Sequence, residues 1–264
     1  MSLPPVIHSS LLPVPHGFCL RQGGVSRAPY ESLNGGVNTQ DDPTYVQANR
    51  QRIAALVGVE EVHLAALQQV HGAEVVTLRG SEDVPSFSYG ALPEGDGLVT
   101  DCPTIALGIA TADCAPVLFA SHDGRVVGAA HAGWRGAVAG VLEATVQQMR
   151  ALGAEGIRAV IGPCIASASY EVGEDMRCAV LAHDPAHESS GGRFFTPAAR
   201  TGHYQFDLPA FCLARLEALH VRAEWVERDT AAETCFFSHR RATLRGDGRT
   251  GRQLSIIRAI TPSS

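Results

Sequence analysis

Apolar residues fall into two rhythms along this chain, and the rhythms predict its elements. In LVTDCPTIALGIATADCAPVLFASHDGRVVGAAHAG, residues 98–133, short apolar runs read as strands, two of them joined by SHDGR, an Asp-Gly hairpin signal. The run AVAGVLEATVQQMRALG then predicts a helix from Ala137 to about Leu152, ended by Gly153. Further on, IRAVIG reads as a buried strand, YEVGEDMRCAVLAH as a helix, and DLPAFCLARLEALH as a second helix with Asp207 as its cap and Pro209 in its first turn. AEWVER, TCFFSHRRATLR and QLSIIRAI read as closing strands. Hairpins mixed with a few helices predict an α+β fold with mixed or antiparallel sheets covered by helices. YGALPEGDG and AHDPAHESSGGR are the most loop-like stretches, and no repeat or linker marks a boundary, so residues 1–264 read as one domain.

Composition narrows the function classes. A net charge of −6 over 264 residues, with no run of five or more Lys/Arg, argues against duplex nucleic acid and against an anionic membrane surface as partners. A small ligand is the better expectation, and no protein partner is indicated. The N-terminal segment lacks the basic and apolar regions of a secretory signal, and no apolar run reaches membrane-spanning length, so cytoplasmic residence is expected. Seven cysteines, an odd number without any C-x-x-C, argue against a disulfide framework and leave thiols free for chemistry.

HAGWRG, residues 131–136, puts a histidine between a strand-like and a helix-like run, with glycines around a Trp-Arg pair. Glycines permit close backbone approach, and Arg135 brings a permanent charge. His71 in LQQVHGAEVV, Cys114 in IATADCAPVLF and His131 each stand near the end of a β-like run beside a turn-forming or small residue. Two imidazoles and a thiolate suit Zn²⁺ and leave a fourth coordination position for water or substrate. The spacing matches no local zinc pattern, so polar residues satisfied at a core edge are the alternative; Asp113 and Gln69 are candidates to orient an imidazole. Cys114 with His131 also has the composition of a thiol nucleophile and its base.

Other motifs carry less. His183 and His187 are separated by Pro185 in a polar loop, and GDGRTG at 246–251 precedes a strand-like run instead of a helix, which makes it a hairpin tip and not a dinucleotide fingerprint. There is no P-loop. Phosphate can instead be held by Arg21 with the backbone of GGVS at 23–26, and by Arg135, Arg240 and Arg252, with surface charge as the plain alternative for each.

The segments LRQGGVSRAPYESLNGGVN, QQVHGAEVV, ATADCAPVLF, HAGWRGA, IGPCIASASYEV and TCFFSHRR…TGRQLSII occur in this order over nearly the whole chain. In them the chain resembles the laccase-domain, or polyphenol oxidase, family of zinc-dependent purine nucleoside phosphorylases. The resemblance implies a four-layer α/β/β/α sandwich and a zinc ion, with copper as a substitute, on His71, Cys114 and His131. It further implies purine nucleosides and inorganic phosphate as substrates: phosphorolysis of adenosine, inosine, guanosine and methylthioadenosine, with deamination of adenosine. Arg21, Asn34, Arg135, Cys164, Arg240 and Arg252 are the candidate contacts. For Asn34 the alternative is turn formation; for Cys164, and for Tyr170 beside it, a place in the core. Multicopper oxidation is disfavoured, because eleven histidines include no H-x-H pair. A Cys114/His131 thiol hydrolase and a non-catalytic metal- or nucleotide-binding module are the alternatives.

Overall fold

The computed structural model describes residues 3–84, 92–182 and 191–261. Its strands are β1 (Val6–Ile7), β2 (His16–Cys19), β3 (Leu64–Ala65), β4 (Val75–Leu78), β5 (Gly97–Thr100), β6 (Ala106–Thr111), β7 (Ala115–Ala120), β8 (Val127–Ala132), β9 (Arg158–Ile161), β10 (Glu171–Gly173), β11 (Phe195–Pro197), β12 (His203–Phe206), β13 (Arg222–Trp225) and β14 (Gln253–Arg258). Its α-helices are α1 (Pro43–Ala54), α2 (Trp134–Ala139), α3 (Val141–Ala151), α4 (Glu174–Ala182), α5 (Leu208–Ala218) and α6 (His239–Arg245). A six-stranded sheet runs β13-β9-β7-β8-β5-β4, a five-stranded sheet β1-β2-β14-β6-β3, and a small one β10-β12-β11. The two larger sheets mix parallel and antiparallel pairs, which with the few helices gives the mixed-sheet arrangement expected of the α+β reading.

Period-two alternation sorts the side chains into successive cores. On β7, Val117 and Phe119 point into a core shared with α3 and α5, while Leu118 and Ala120 point the other way, into a core shared with the five-stranded sheet. Leu107, Ile109 and Ile257 meet them there from β6 and β14. Leu254 and Ile256 face a third core with Ile53 and Ala54 of α1. The order is therefore helix, sheet, sheet, helices. Both faces of the central strands are covered, which is why the sequence shows near-continuous apolar runs there. Burying a side chain such as Phe119 contributes about 1.5–3 kcal/mol.

The SHDGR turn joins β7 to β8 as expected, with Gly124 at φ 71°. Asp207 caps α5 by accepting from the Ala210 N–H at 3.0 Å. Four expectations need correction. The helix expected from Ala137 starts at Trp134 and is broken at Gly140, whose left-handed backbone (φ 95°) ends α2 and opens α3. YEVGEDMRCAVLAH is divided between β10 and α4. TCFFSHRRATLR is not a strand: Phe236 and Phe237 are buried in a loop, and Ser238 then caps α6 by accepting from the Arg241 N–H at 3.1 Å. GDGRTG is the helix-to-strand loop from α6 to β14, its first glycine left-handed. The His183/His187 pair and parts of both loop-like stretches lie outside the described residues. Among the described residues no helix is long and apolar enough to cross a membrane.

Candidate metal centre

Strand direction gathers three distant segments at one edge of the six-stranded sheet. β8 ends there, and its antiparallel partners β7 and β5 both begin there, with Ala115 opposite Ala132 and Gly97 opposite Ala130. β4 runs parallel to β5 and so also starts at this edge. His131 is near the end of β8, Cys114 immediately precedes β7, and His71 lies in the turn that leads to β4. The ligand atoms of His71, Cys114 and His131 lie within 4.8 Å of one another, the one such group of His, Cys, Asp or Glu among the described residues. Cys114 Sγ is 3.8 Å from His71 Nε2, and the two imidazoles meet edge to face at 4.7 Å.

HAGWRG is explained by the room this cluster needs. A Cβ on Gly133 would stand 2.8 Å from His71 Cδ2 and 3.0 Å from Cys114 Sγ. One on Gly136 would stand 3.0 Å from the Gly72 carbonyl oxygen. The glycines let α2 begin directly against the ligands.

Behind the cluster is Asp96, fully buried. Its carboxylate accepts from the backbone N–H groups of Val70, His71 and Gly72 at 3.1, 3.0 and 2.7 Å, and lies 2.7 Å from His131 Nδ1. One side chain thus fixes the turn that presents His71, itself at φ 62°, and orients the His131 ring with Nε2 towards the cluster. Desolvation pushes the Asp96 pKa up, but the bonds from His131 and Gly72 outweigh it and hold the group below the usual carboxylate range. Desolvation likewise raises Cys114, yet the charge of His131 and hydrogen bonds from both imidazoles bring the thiol down to about 6. Burial lowers His131, while the Cys114 thiolate and Asp96 raise it to about 9. The thiolate is the form a metal needs, and a cation at the cluster would take over the charge that His131 supplies in its absence.

Two cavities, of about 460 and 340 Å³, share His71, Ala112, Cys114, Arg135 and His239. The larger also has Thr39, Gln69, Thr111 and Arg252 in its wall; the smaller has Trp134, Ile165, Tyr170, Leu208 and Arg240. Of the expected contacts, Arg135, Arg240 and Arg252 reach these cavities and three others do not. Arg21 donates to the Glu31 carbonyl and lies over Phe237. Cys164 is buried in the core, its thiol pushed up by desolvation. Asn34 makes the turn: its amide donates to Thr39 and Asp41 and accepts from Gly36 and Arg252. GGVS is no anion cradle, because the amides of Gly24, Val25 and Ser26 already donate to Ser32 Oγ, Asn49 Oδ1 and the Ser32 carbonyl.

Asp113 and Gln69 do not orient an imidazole. Gln69 pairs with the backbone of Ala110, and Asp113 accepts from Thr230 Oγ1 and from the Arg240 N–H. Asp113, the residue before Cys114, thereby holds the start of α6, with His239, next to that ligand's segment. Sequence reasoning missed Asp96, His239 and Thr111. An acid flanked by glycines in EGDG was the available signal for Asp96; a strand assignment over SHRR concealed His239.

Residues 15–260 match the family described as "Multi-copper polyphenol oxidoreductase laccase". The chain is 40% identical over 255 residues to a Deinococcus radiodurans protein named purine nucleoside phosphorylase, covering 96% of this chain and 92% of that one. It is 41% identical over 247 residues to a Streptomyces coelicolor protein of the same name, covering 91% and 93%. Among solved structures it is similar to the hypothetical protein YfiH of Bacillus licheniformis, with a TM-score of 0.83 and 31% identity over 93% of this chain and 92% of that one. YlmD of Geobacillus stearothermophilus matches with a TM-score of 0.83 and 30% identity over the same shares.

Proposed function

The chain belongs to the family described as multi-copper polyphenol oxidoreductase laccase, and from that premise we propose that it is a zinc-dependent purine nucleoside phosphorylase. Its substrates are adenosine, inosine, guanosine and methylthioadenosine, and it also deaminates adenosine hydrolytically. The relatives' name supports the phosphorylase reading. The observation that carries it is the convergence of His71, Cys114 and His131 beside two cavities large enough for a nucleoside and an anion.

The donor set fits zinc: two imidazole nitrogens and a thiolate, one imidazole held from behind by a buried carboxylate. Copper binds such donors at least as tightly and is a substitute. Oxidation by several coupled coppers would need more ligand groups than the single trio among the described residues supplies. When bound, the ion supplies Lewis-acid chemistry, polarising a coordinated group and acidifying water.

In phosphorolysis a phosphate oxygen bonds to ribose C1′ as the C1′–N9 bond breaks. The electron pair leaves with the purine, which takes up the proton carried by the phosphate monoanion. Arg135, Arg240 and Arg252 supply positive charge around the anion and the leaving group. Tyr170 and Trp134 offer ring faces to the base. Cleavage of adenosine with phosphate to adenine and ribose 1-phosphate by the zinc-loaded protein tests the reading; full activity after verified metal removal would refute the role of zinc.

One observation favours a second reading. Cys114, His131 and Asp96 stand in the order thiol, imidazole, carboxylate, which a thiol hydrolase requires. The two readings separate at His71. His71→Ala abolishes metal binding and phosphorolysis in the first, and leaves a Cys114 acyl-enzyme trappable in the second.

A further inference from the structure

Thr111 ends β6 at the wall of the larger cavity, and its hydroxyl has no hydrogen-bond partner although the residue is only 1% exposed. A buried hydroxyl left unpaired costs about 1–3 kcal/mol, so a cavity-lining one is expected to be completed by what the cavity holds. The same cavity is also lined by a cation. Gln253 pairs with Thr111 across β14 and β6, so Arg252, one residue earlier, reaches the same end of the five-stranded sheet and lines the same cavity.

Arg252 is built in as a fixed cation without an ion-pair partner among the described residues. Among the described residues no carboxylate lies within ion-pair distance of it. Its Nη1 donates to the carbonyls of Thr250 and Gly251, which leaves Nε and Nη2 for another acceptor. Asn34 clamps its backbone, accepting from the Arg252 N–H at 2.9 Å, and the Gly35 N–H donates to its carbonyl at 3.0 Å. Gly36 lies against its stem, where a Cβ would come within 2.8 Å. The other cavity-facing arginines are differently engaged. Arg240 lies over the Tyr170 ring and donates to the Glu171 carbonyl, and Arg135 lies over Trp134. Arg240 therefore flanks the aromatic side of the smaller cavity, and Arg135 stands where the two cavities meet.

We propose that Thr111 and Arg252 form the subsite for inorganic phosphate, in the larger cavity, and that the purine takes the smaller cavity against Tyr170 and Trp134. This deepens the phosphorylase reading and rests on it for the identity of the anion. Thr111 donates one hydrogen bond to a phosphate oxygen and Arg252 donates the charged ones, on the opposite side of the cluster from the base.

The test titrates inorganic phosphate into the zinc-loaded protein by calorimetry, beside steady-state kinetics with adenosine. Thr111→Val, which keeps the shape, is expected to weaken phosphate binding on the order of tenfold and raise the KM for phosphate alike, with the KM for adenosine unchanged and the phosphate-free protein melting above the wild type, since the unpaired hydroxyl is gone. Arg252→Gln is expected to abolish phosphate binding, whereas Arg240→Gln raises the KM for adenosine and spares phosphate affinity. If the wild type cleaves adenosine and Thr111→Val binds phosphate as the wild type does, the subsite is refuted and the phosphorylase reading stands. If the wild type cleaves no nucleoside but loses phosphate with either of the first two substitutions, the anion site stands and the phosphorylase reading falls.

Discussion

Replacing Asp96 by Asn tests how the centre is held. The carboxylate meets four N–H groups, two on each oxygen: Val70 and Gly72 on Oδ2, His71 and the His131 ring on Oδ1. An amide keeps one acceptor oxygen. With that oxygen at the Oδ2 position, the new NH₂ group faces the His71 amide and His131 Nδ1. The His71 bond is lost, costing about 1.5–3 kcal/mol for a hydrogen bond to a charged, buried acceptor. His131 relieves its own conflict by moving its proton to Nε2, the nitrogen that would bind metal. Melting of the stripped protein should therefore fall by on the order of 5 °C, and zinc affinity, measured by chelator competition, by about 10–100-fold. Asp96 also sets an acid dependence. Its folded pKa is lowered, so its stabilisation is complete above the unfolded value near ~3.9 and is lost as pH falls through the folded one. The melting gap between wild type and Asp96→Asn should then narrow below pH ~4. Wild-type zinc affinity together with an unchanged melting temperature would refute the role given to Asp96.

Gly133→Ala should lose zinc and turnover with little loss of fold, because its φ of −67° suits alanine and only the ligands are crowded; circular dichroism beside zinc content checks this. In metal-free protein, alkylation of Cys114 by iodoacetamide, followed by peptide mass, should show a midpoint near pH 6, below the ~8.5 of a free thiol. Across pH 7–9 the folded pair keeps one proton on His131 while the unfolded chain keeps one on the thiol, so the two shifts offset and thermal melts of the same protein should change little there on account of this pair.

The trio was legible because each ligand stands beside the small or turn-forming residues that a strand end requires, and glycines around His131 mark close approach even without a partner in view. Asp96 was hidden because its partners are backbone amides twenty-four to twenty-six residues away, which no local pattern announces. The α6 error has a related cause. Phe236 and Phe237 are buried by tertiary packing in a loop, so an apolar pair mimicked a strand and masked the Ser238 cap. Asn34 and the GGVS amides looked available because a sequence does not reveal that the chain returns to satisfy them. Helix α5 came through intact because its cap and first-turn proline are local signals.

The carboxylate shared by the His71 turn and the His131 ring has a wider consequence. Because both are seated by one buried side chain, an ion arriving there meets a turn and a ring already held by the chain's own hydrogen bonds. Exchange of one divalent ion for another then leaves the scaffold unmoved, and supply in the surrounding medium decides the occupant. A preparation that carries copper would thus report its growth conditions before it reported an oxidase.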